Sequence, residues 1–310
     1  MRTVAWVAVG ALWVAGLAGA QAPRSTAPPP LGTSSAVAAT QPADPRAAVH
    51  HDLGGGIHEL AFPDGSLYRG TLRDGIPHGH GTYESPLFRY EGDFDAGRKQ
   101  GLGEYRWPHG DRYEGRFSND QPDGTGRYSF ANGDAYEGEV RDGEIRGHGR
   151  YRSAAGDEFE GDFAHGLPEG RGTLRFANGD RYVGEMHAGR MQGFGRYVTA
   201  AGDVVEAIFV RGLAQGIGTI RRANGDVYEG EIHEGAASGQ GVIRYAAGPR
   251  YQGSVREGLP YGEGTLALPD GQRFEGRFED GLARAEGYAV DPGGHRTRAR
   301  LKDGVVTLID

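Results

Sequence analysis

The chain has 310 residues, of which 56 are glycine and only 37% are hydrophobic, a balance that argues against a thick two-layer core and favours a repeat array. The absence of cysteine excludes disulfide frameworks, thiolate zinc sites, Fe–S clusters, a lipidated N-terminal Cys and a Cys nucleophile together. The formal net charge is −8; residues 1–50 carry three Arg against one Asp, so residues 51–310 hold 31 basic and 41 acidic side chains, a net of −10 that suits neither nucleic acid nor anionic lipid.

Residues 1–20 have the anatomy of a secretory signal peptide: Arg2 in a short basic region, an apolar and Gly run over residues 4–17, and Ala18-Gly19-Ala20 as the cleavage signature. The apolar run is short of the ~20 residues that span a bilayer, so the expected outcome is cleavage and a periplasmic or secreted product, with a retained anchor as the alternative. Residues 21–50 turn to Pro, Ala, Ser and Thr, with six prolines. Such a segment cannot bury enough apolar surface to offset its ordering entropy and reads as a disordered linker. The array is expected to fill residues 51–310.

The array is organised by a period of 23 residues. An aromatic-x-Gly unit starts at Tyr68, Tyr90, Tyr113, Tyr136, Phe159, Tyr182, Val205, Tyr228, Tyr251 and Phe274, with one spacing of 22 and the rest of 23. Inside each unit come a hydrophobic residue four on, as in Phe94 and Val140, a Gly seven on, as in Gly97 and Gly143, and a Gly-x-Gly pair such as Gly147 and Gly149. Tyr136-Glu137-Gly138-Glu139-Val140 and Gly147-His148-Gly149-Arg150-Tyr151 both alternate at period two, which predicts two half-exposed strands per unit. Asn132-Gly133, Asn178-Gly179 and Asn224-Gly225 are read as type I′ turns joining one unit to the next. The expected fold is all-β: an elongated single-layer antiparallel sheet of about ten consecutive hairpins, each adding ~10 Å.

Alternation sorts the side chains onto two faces. One face takes the leading aromatics, the glycines and the second-strand and outer rings Tyr83, Tyr105, Trp107, Tyr128, Phe130, Tyr151, Phe176, Tyr197 and Tyr245. These nine are the candidate binding residues of an aromatic groove; packing over the glycines is their other available role. The opposite face takes a column of Glu91, Glu114, Glu137, Glu160, Glu206, Glu229 and Glu275, with Arg127, Arg150 and Arg196 in reach across the strands.

Units such as Tyr136-Glu-Gly-Glu-Val-Arg-Asp-Gly-Glu-Ile-Arg-Gly-His-Gly resemble MORN repeats (membrane occupation and recognition nexus), over roughly residues 54–310. The resemblance implies consecutive hairpins in one curved sheet, serving as a scaffold, dimerisation or membrane-association module. Departures occur at Val205 and Ala207 in the seventh unit, at Asp120 where Gly is usual, and at Ala285 and Ala289 in the tenth, as in a degenerate end cap.

The sequence carries no recognisable catalytic constellation. Gly-x-Gly recurs in nearly every unit without opening a helix, so it is structural and not a phosphate cradle. Lys99 and Lys302 are the only lysines. His80 and His148, three repeats apart, are too distant to share an ion, and an adventitious metal site among His50, His51, His58, His78 and His80 is the one alternative to solvated histidines. No metal or cofactor is expected. Three function classes remain: a non-enzymatic envelope scaffold offering its groove to a protein, peptide or glycan; a lipid-surface module, disfavoured by the acidic charge; and an enzyme assembled on loops. The apolar stretch over residues 304–309 could cap the array or pair copies end to end.

Overall fold

The computed structural model describes residues 44–309; the leader and residues 21–43 of the linker lie outside the described residues. Among the described residues a 3₁₀ turn, Pro45–Ala47, precedes 24 strands, the first of which starts at Val49, two residues before the boundary expected for the array. No helix among the described residues is long and apolar enough to cross a membrane. The chain divides into two compact units. The described part of the first covers residues 44–177 and Met186–Gly189; the second covers Asn178–Glu185 and the rest from Arg190.

In the first unit the strands are β1 (Val49–Gly54), β2 (Ile57–Ala61), β3 (Leu67–Arg73), β4 (Ile76–Ser85), β5 (Phe88–Asp95), β6 (Arg98–Arg106), β7 (Arg112–Ser118), β8 (Gln121–Ser129), β9 (Ala135–Arg141), β10 (Glu144–Arg152), β11 (Glu158–Ala164) and β12 (Leu167–Arg175). Each pairs antiparallel with the next. β13 (Arg181–His187) has residues assigned to each unit. In the second unit β14 (Arg190–Val198), β15 (Val204–Val210), β16 (Leu213–Arg221), β17 (Val227–His233), β18 (Ala236–Arg244), β19 (Arg250–Arg256), β20 (Leu259–Ala267), β21 (Arg273–Asp280), β22 (Arg284–Val290), β23 (Arg296–Lys302) and β24 (Val305–Leu308) pair in the same consecutive way. The fold is thus the all-β succession of hairpins that the period of two and the period of 23 predict.

The turns differ from expectation. At the joints expected to be type I′, only the glycine has a positive φ: Gly133 lies at 91°, while Phe130 N donates to Asp134 O at 2.9 Å across a wider loop. Asn132 Oδ1 accepts from Asp134 N at 3.0 Å, so the Asn serves as a local acceptor and leaves positive φ to the glycine. The two-residue turns with positive φ at both positions lie at the other end of the unit, as at Asp142-Gly143 (50° and 77°). That position is filled elsewhere by Ala96, His165 or Arg211, residues that give no turn signal.

The core is built from the leading aromatics. Tyr68, Tyr90, Tyr113, Tyr182 and Tyr251 are fully buried, as is Phe274. Tyr136 lies over Gly138 and Gly149, which face each other across β9 and β10. A Cβ on Gly138 would sit 2.5 Å from Gly149 Cα, and one on Gly149 would sit 2.5 Å from the Tyr136 oxygen, so the ring occupies the volume that the two missing side chains leave. Where the hydrophobic position is Phe the leading ring meets it edge-on, as Tyr90 does with Phe94 of its own unit at 5.1 Å and with Phe117 of the next at 4.9 Å between centroids. The Tyr136 hydroxyl donates to Glu139 O at 2.8 Å, at a bulge where residues 146–148 oppose one residue of β9. The same bond recurs from Tyr68, Tyr90, Tyr113, Tyr182, Tyr228 and Tyr251.

Adjacent units are also stitched at both strand ends. Gly143 N donates to Pro122 O at 2.8 Å, and Asp134 Oδ1 accepts from Ala154 N, twenty residues on, at 2.8 Å. An insertion of one residue would break both bonds, which is why the period holds. The third unit solves its departure with a charge pair: Asp120 takes the place of the turn glycine at φ 73°, accepts from Lys99 N at 2.9 Å, and lies 3.5 Å from Lys99 Nζ. Both residues are at most 2% exposed, and the ammonium also sits 5.0 Å from the Phe88 ring centroid. Burial pushes the Lys99 ammonium below its ordinary range, with Asp120 pulling it back.

Candidate binding surface

Of the nine rings that the alternation assigns to a groove, seven are buried: Tyr83, Tyr105, Tyr128, Tyr151, Phe176, Tyr197 and Tyr245. Trp107 and Phe130 are half-buried. The rings cover one another. Phe88 and Tyr105 stack at 4.7 Å between centroids, Trp107 packs on Tyr105 at 4.5 Å, and Tyr128 stacks on Phe130 at 5.7 Å. The hydroxyls are engaged inside the fold as well: Tyr83 donates to Ser66 Oγ at 2.7 Å, and Tyr151 to Asp134 Oδ2 at 2.7 Å. Burial pushes the Tyr128 and Tyr245 phenols well above their ordinary value; for Tyr151 burial is again the main cause and the Asp134 carboxylate adds to it. A ligand would reach most of these rings only after the packing opened.

The opposite face stays open. In the first unit it carries a row of alternating charge across five strands, because Glu114 pairs in register with Arg127, Arg127 with Glu137, Glu137 with Arg150 and Arg150 with Glu160. The Arg150 guanidinium reaches Glu160 at 3.0 Å. These five side chains, with Thr125 and His148, line a depression of about 560 Å³ floored by Gly115, Gly126, Gly138 and Gly149. The histidines of the same surface face carboxylates: His80 lies 3.4 Å from Asp93, His148 3.1 Å from Asp162 and His187 2.8 Å from Glu169. Among the described residues no group of three or more His, Asp and Glu side chains is arranged to hold a metal ion.

In the second unit Arg196, Glu206 and Glu229 continue that row, but the column beside it is apolar on β14, β15 and β16. The residue between the two glycines is Phe194, 58% exposed, in β14 and Ile217, 73% exposed, in β16. Phe194 faces Ile208 directly across β14 and β15, and Val210 follows on the same strand and face. Ile208 occupies the place of Glu139, Glu185 and Glu231 in other units. Pattern reading missed this surface. Its signal was an apolar residue inside Gly-x-Gly, where other units put His80, Thr125, His148 or Gln240.

A family model described as the MORN repeat matches residues 68–86, 90–112, 113–135, 136–158, 159–181, 182–204, 206–227, 228–250 and 251–273. The seventh match begins one residue after Val205, and the unit led by Phe274 is not matched. No curated protein matches the sequence significantly. Among solved structures, the TCP10 domain of Danio rerio CPAP, in complex with a peptide of Danio rerio STIL, is similar at 13% identity and a TM-score of 0.36, with 80% of this chain and 96% of that chain covered. The TCP10c domain of Drosophila melanogaster Sas-4 is similar at 16% identity and a TM-score of 0.27, with 58% of this chain and 93% of that chain covered.

Proposed function

The chain belongs to the MORN-repeat family, and on that premise we propose that it is a binding scaffold that engages a protein or peptide through the open face of its sheet. The observation that supports this is the division of labour between the faces. The aromatic rings and the glycines are used up in closing the core, whereas Leu102, Phe194 and Ile217 stand more than half exposed on the other side, where the fold gains nothing from them. We further infer an envelope or extracellular setting from residues 1–20, which N-terminal sequencing of the exported chain would test: a start at Gln21 supports it, and a full-length membrane-held form overturns it.

The binding face is tested by placing a photocrosslinking side chain at Leu102 or Ile217 on one face and at Trp107 or Phe130 on the other. Crosslinks to a partner protein from the first pair alone are expected. Crosslinks from Trp107 and Phe130 alone would return the site to the aromatic face.

A further inference from the structure

The nine units led by residues 68 to 251 carry a bulge glycine with positive φ at the first position of Gly-x-Gly, and in most of them the side chain three residues after the leading residue lies against it. A Cβ on Gly147 would meet Glu139 Oε2 at 2.5 Å, and one on Gly239 would meet Glu231 Oε2 at 2.5 Å; Asp93 and Glu185 stand in the same way over Gly101 and Gly193. The carboxylate has a second task there, since Asp93 accepts from Leu102 N at 3.3 Å and Glu231 from Gln240 N at 3.1 Å. In the seventh unit the residue is Ile208, and nothing lies within 4 Å of the position a Gly216 Cβ would take. Among the described residues no carboxylate accepts from Ile217 N.

This vacancy adjoins the exposed apolar side chains of Phe194, Ile208 and Ile217. Its hairpin carries Arg211 at the turn end, beside Arg190 at the turn end of the preceding hairpin: Gly212 N donates to Met191 O at 2.9 Å, and Arg211 N donates to the Gln192 side chain at 3.2 Å. Both arginines are exposed, and among the described residues neither has an acidic partner.

We propose that the seventh unit docks a short acidic and apolar segment of a partner protein. One carboxylate of that segment takes the place above Gly216 that Glu139 or Glu231 fills in its own unit, and accepts from Ile217 N. An aromatic or branched side chain beside it packs on Phe194 and Ile208, and further acidic residues meet Arg190 and Arg211. The charge complementarity commits the occupant: a basic segment would meet two unmatched guanidinium groups, and a neutral one would leave the vacancy unfilled. The inference rests on the open-face reading above and narrows it to one unit and one ligand chemistry.

The test is to pan a random peptide library displayed on phage against the full chain, then measure an enriched synthetic peptide by fluorescence polarisation. Enriched sequences are expected to hold Asp or Glu within about three positions of an aromatic or branched residue. Ile208→Glu, which supplies the carboxylate from the chain itself as other units do, is expected to keep the melting temperature and weaken the peptide at least tenfold; Arg211→Ala weakens it less, and Arg150→Glu not at all. The proposal is overturned by peptides that Ile208→Glu still binds, by enrichment of basic sequences, by no enrichment, or by self-association of the chain that Ile208→Glu abolishes. Loss with Arg150→Glu alone would overturn the seventh unit as the site while leaving the open face in place. Loss with Trp107→Ala alone would overturn both.

Discussion

The unit led by Tyr136 and the unit led by Val205 have the same strands and the same bulge, yet they close their cores differently. In the first, one ring covers two glycines, its hydroxyl takes a carbonyl, and Glu139 covers Gly147. In the second the ring is gone, and its volume is refilled by two neighbours: a Cβ on Gly218 would meet Ile232 Cδ1 at 2.7 Å and Ala207 Cβ at 2.9 Å. Val205, Ala207 and Phe209 are all buried, so the unit is packed and not broken. The difference lies on the other face, where the carboxylate has given way to Ile208. A repeat can therefore exchange its core and keep its fold, which frees its outer columns to diverge. The three mutational tests that follow probe how far such exchanges are compensated, beginning with the one expected to cost most.

The third unit holds the costliest exchange. Lys99 and Asp120 occupy the places that Met191 and Gly212 occupy in the sixth and seventh repeats, and the backbone bond between them is kept: Asp120 N donates to Lys99 O at 3.0 Å, Gly212 N to Met191 O at 2.9 Å. Removing one charge of a buried pair leaves the other uncompensated, so Asp120→Asn should destabilise the chain by about 3–5 kcal/mol. The double change Lys99→Met with Asp120→Gly copies the other unit and should fall within about 1 kcal/mol of the parent. Urea denaturation of the three proteins decides the matter. A cost below about 1 kcal/mol for Asp120→Asn would mean that the two charges are not coupled.

Alternation at period two and the aromatic-x-Gly spacing made the strands and the repeat readable, because both depend on residue type alone. The tight turns are readable only in part: Asp142-Gly143 is a hairpin dipeptide by type, whereas the positive φ at Ala96 and Arg211 is imposed by the hairpin and leaves no mark in composition. Residue type and alternation do not give the exposure of the nine aromatic candidates, seven of which are buried. Whether a second-strand ring lines a groove or fills one depends on the rings and acceptors its neighbours bring to it, as Phe88 and Trp107 pack on Tyr105 and Asp134 takes the Tyr151 hydroxyl, and those contacts join positions far apart in sequence. Phe194 and Ile217 were hidden for the converse reason. By type they count towards a core, and only their position between two glycines sends them outward.

A middle-sized effect separates the two core designs. Gly138→Ala would drive a methyl group to 2.5 Å from both Gly149 Cα and the Tyr136 oxygen, and since the first is backbone it cannot yield. Overpacking of this kind costs about 1–3 kcal/mol and sometimes more. Ala207→Gly at the corresponding place removes one buried methyl group and should cost about 1 kcal/mol. Thermal denaturation is expected to rank the two in that order. A Gly138→Ala chain as stable as its parent would show that the ring can slide, and that the glycine pair is not what fixes it.

The smallest effect concerns the hydroxyl alone. Phe159 leads its unit without one and still lies over Gly161 and Gly172, so the ring and the hydrogen bond are separable. Tyr68→Phe copies that unit, losing the 2.8 Å bond to Thr71 O while keeping the edge-on contact with Phe94 at 5.1 Å. Near neutral pH the expected cost is about 1 kcal/mol. Alkali should reverse the ranking. Burial holds the Tyr68 phenol up at about 12, against about 10 in the unfolded chain. Its contribution is therefore complete below pH 10 and lost as pH rises towards 12, because the unfolded chain sheds the phenol proton first. The phenylalanine variant has no such proton at this position. Its deficit should shrink above pH 10 and change sign before pH 12, read from denaturation midpoints at paired pH values. A deficit that stays constant across that window would mean that the Tyr68 hydroxyl is already open to solvent, and that the leading rings of both designs are held by packing alone.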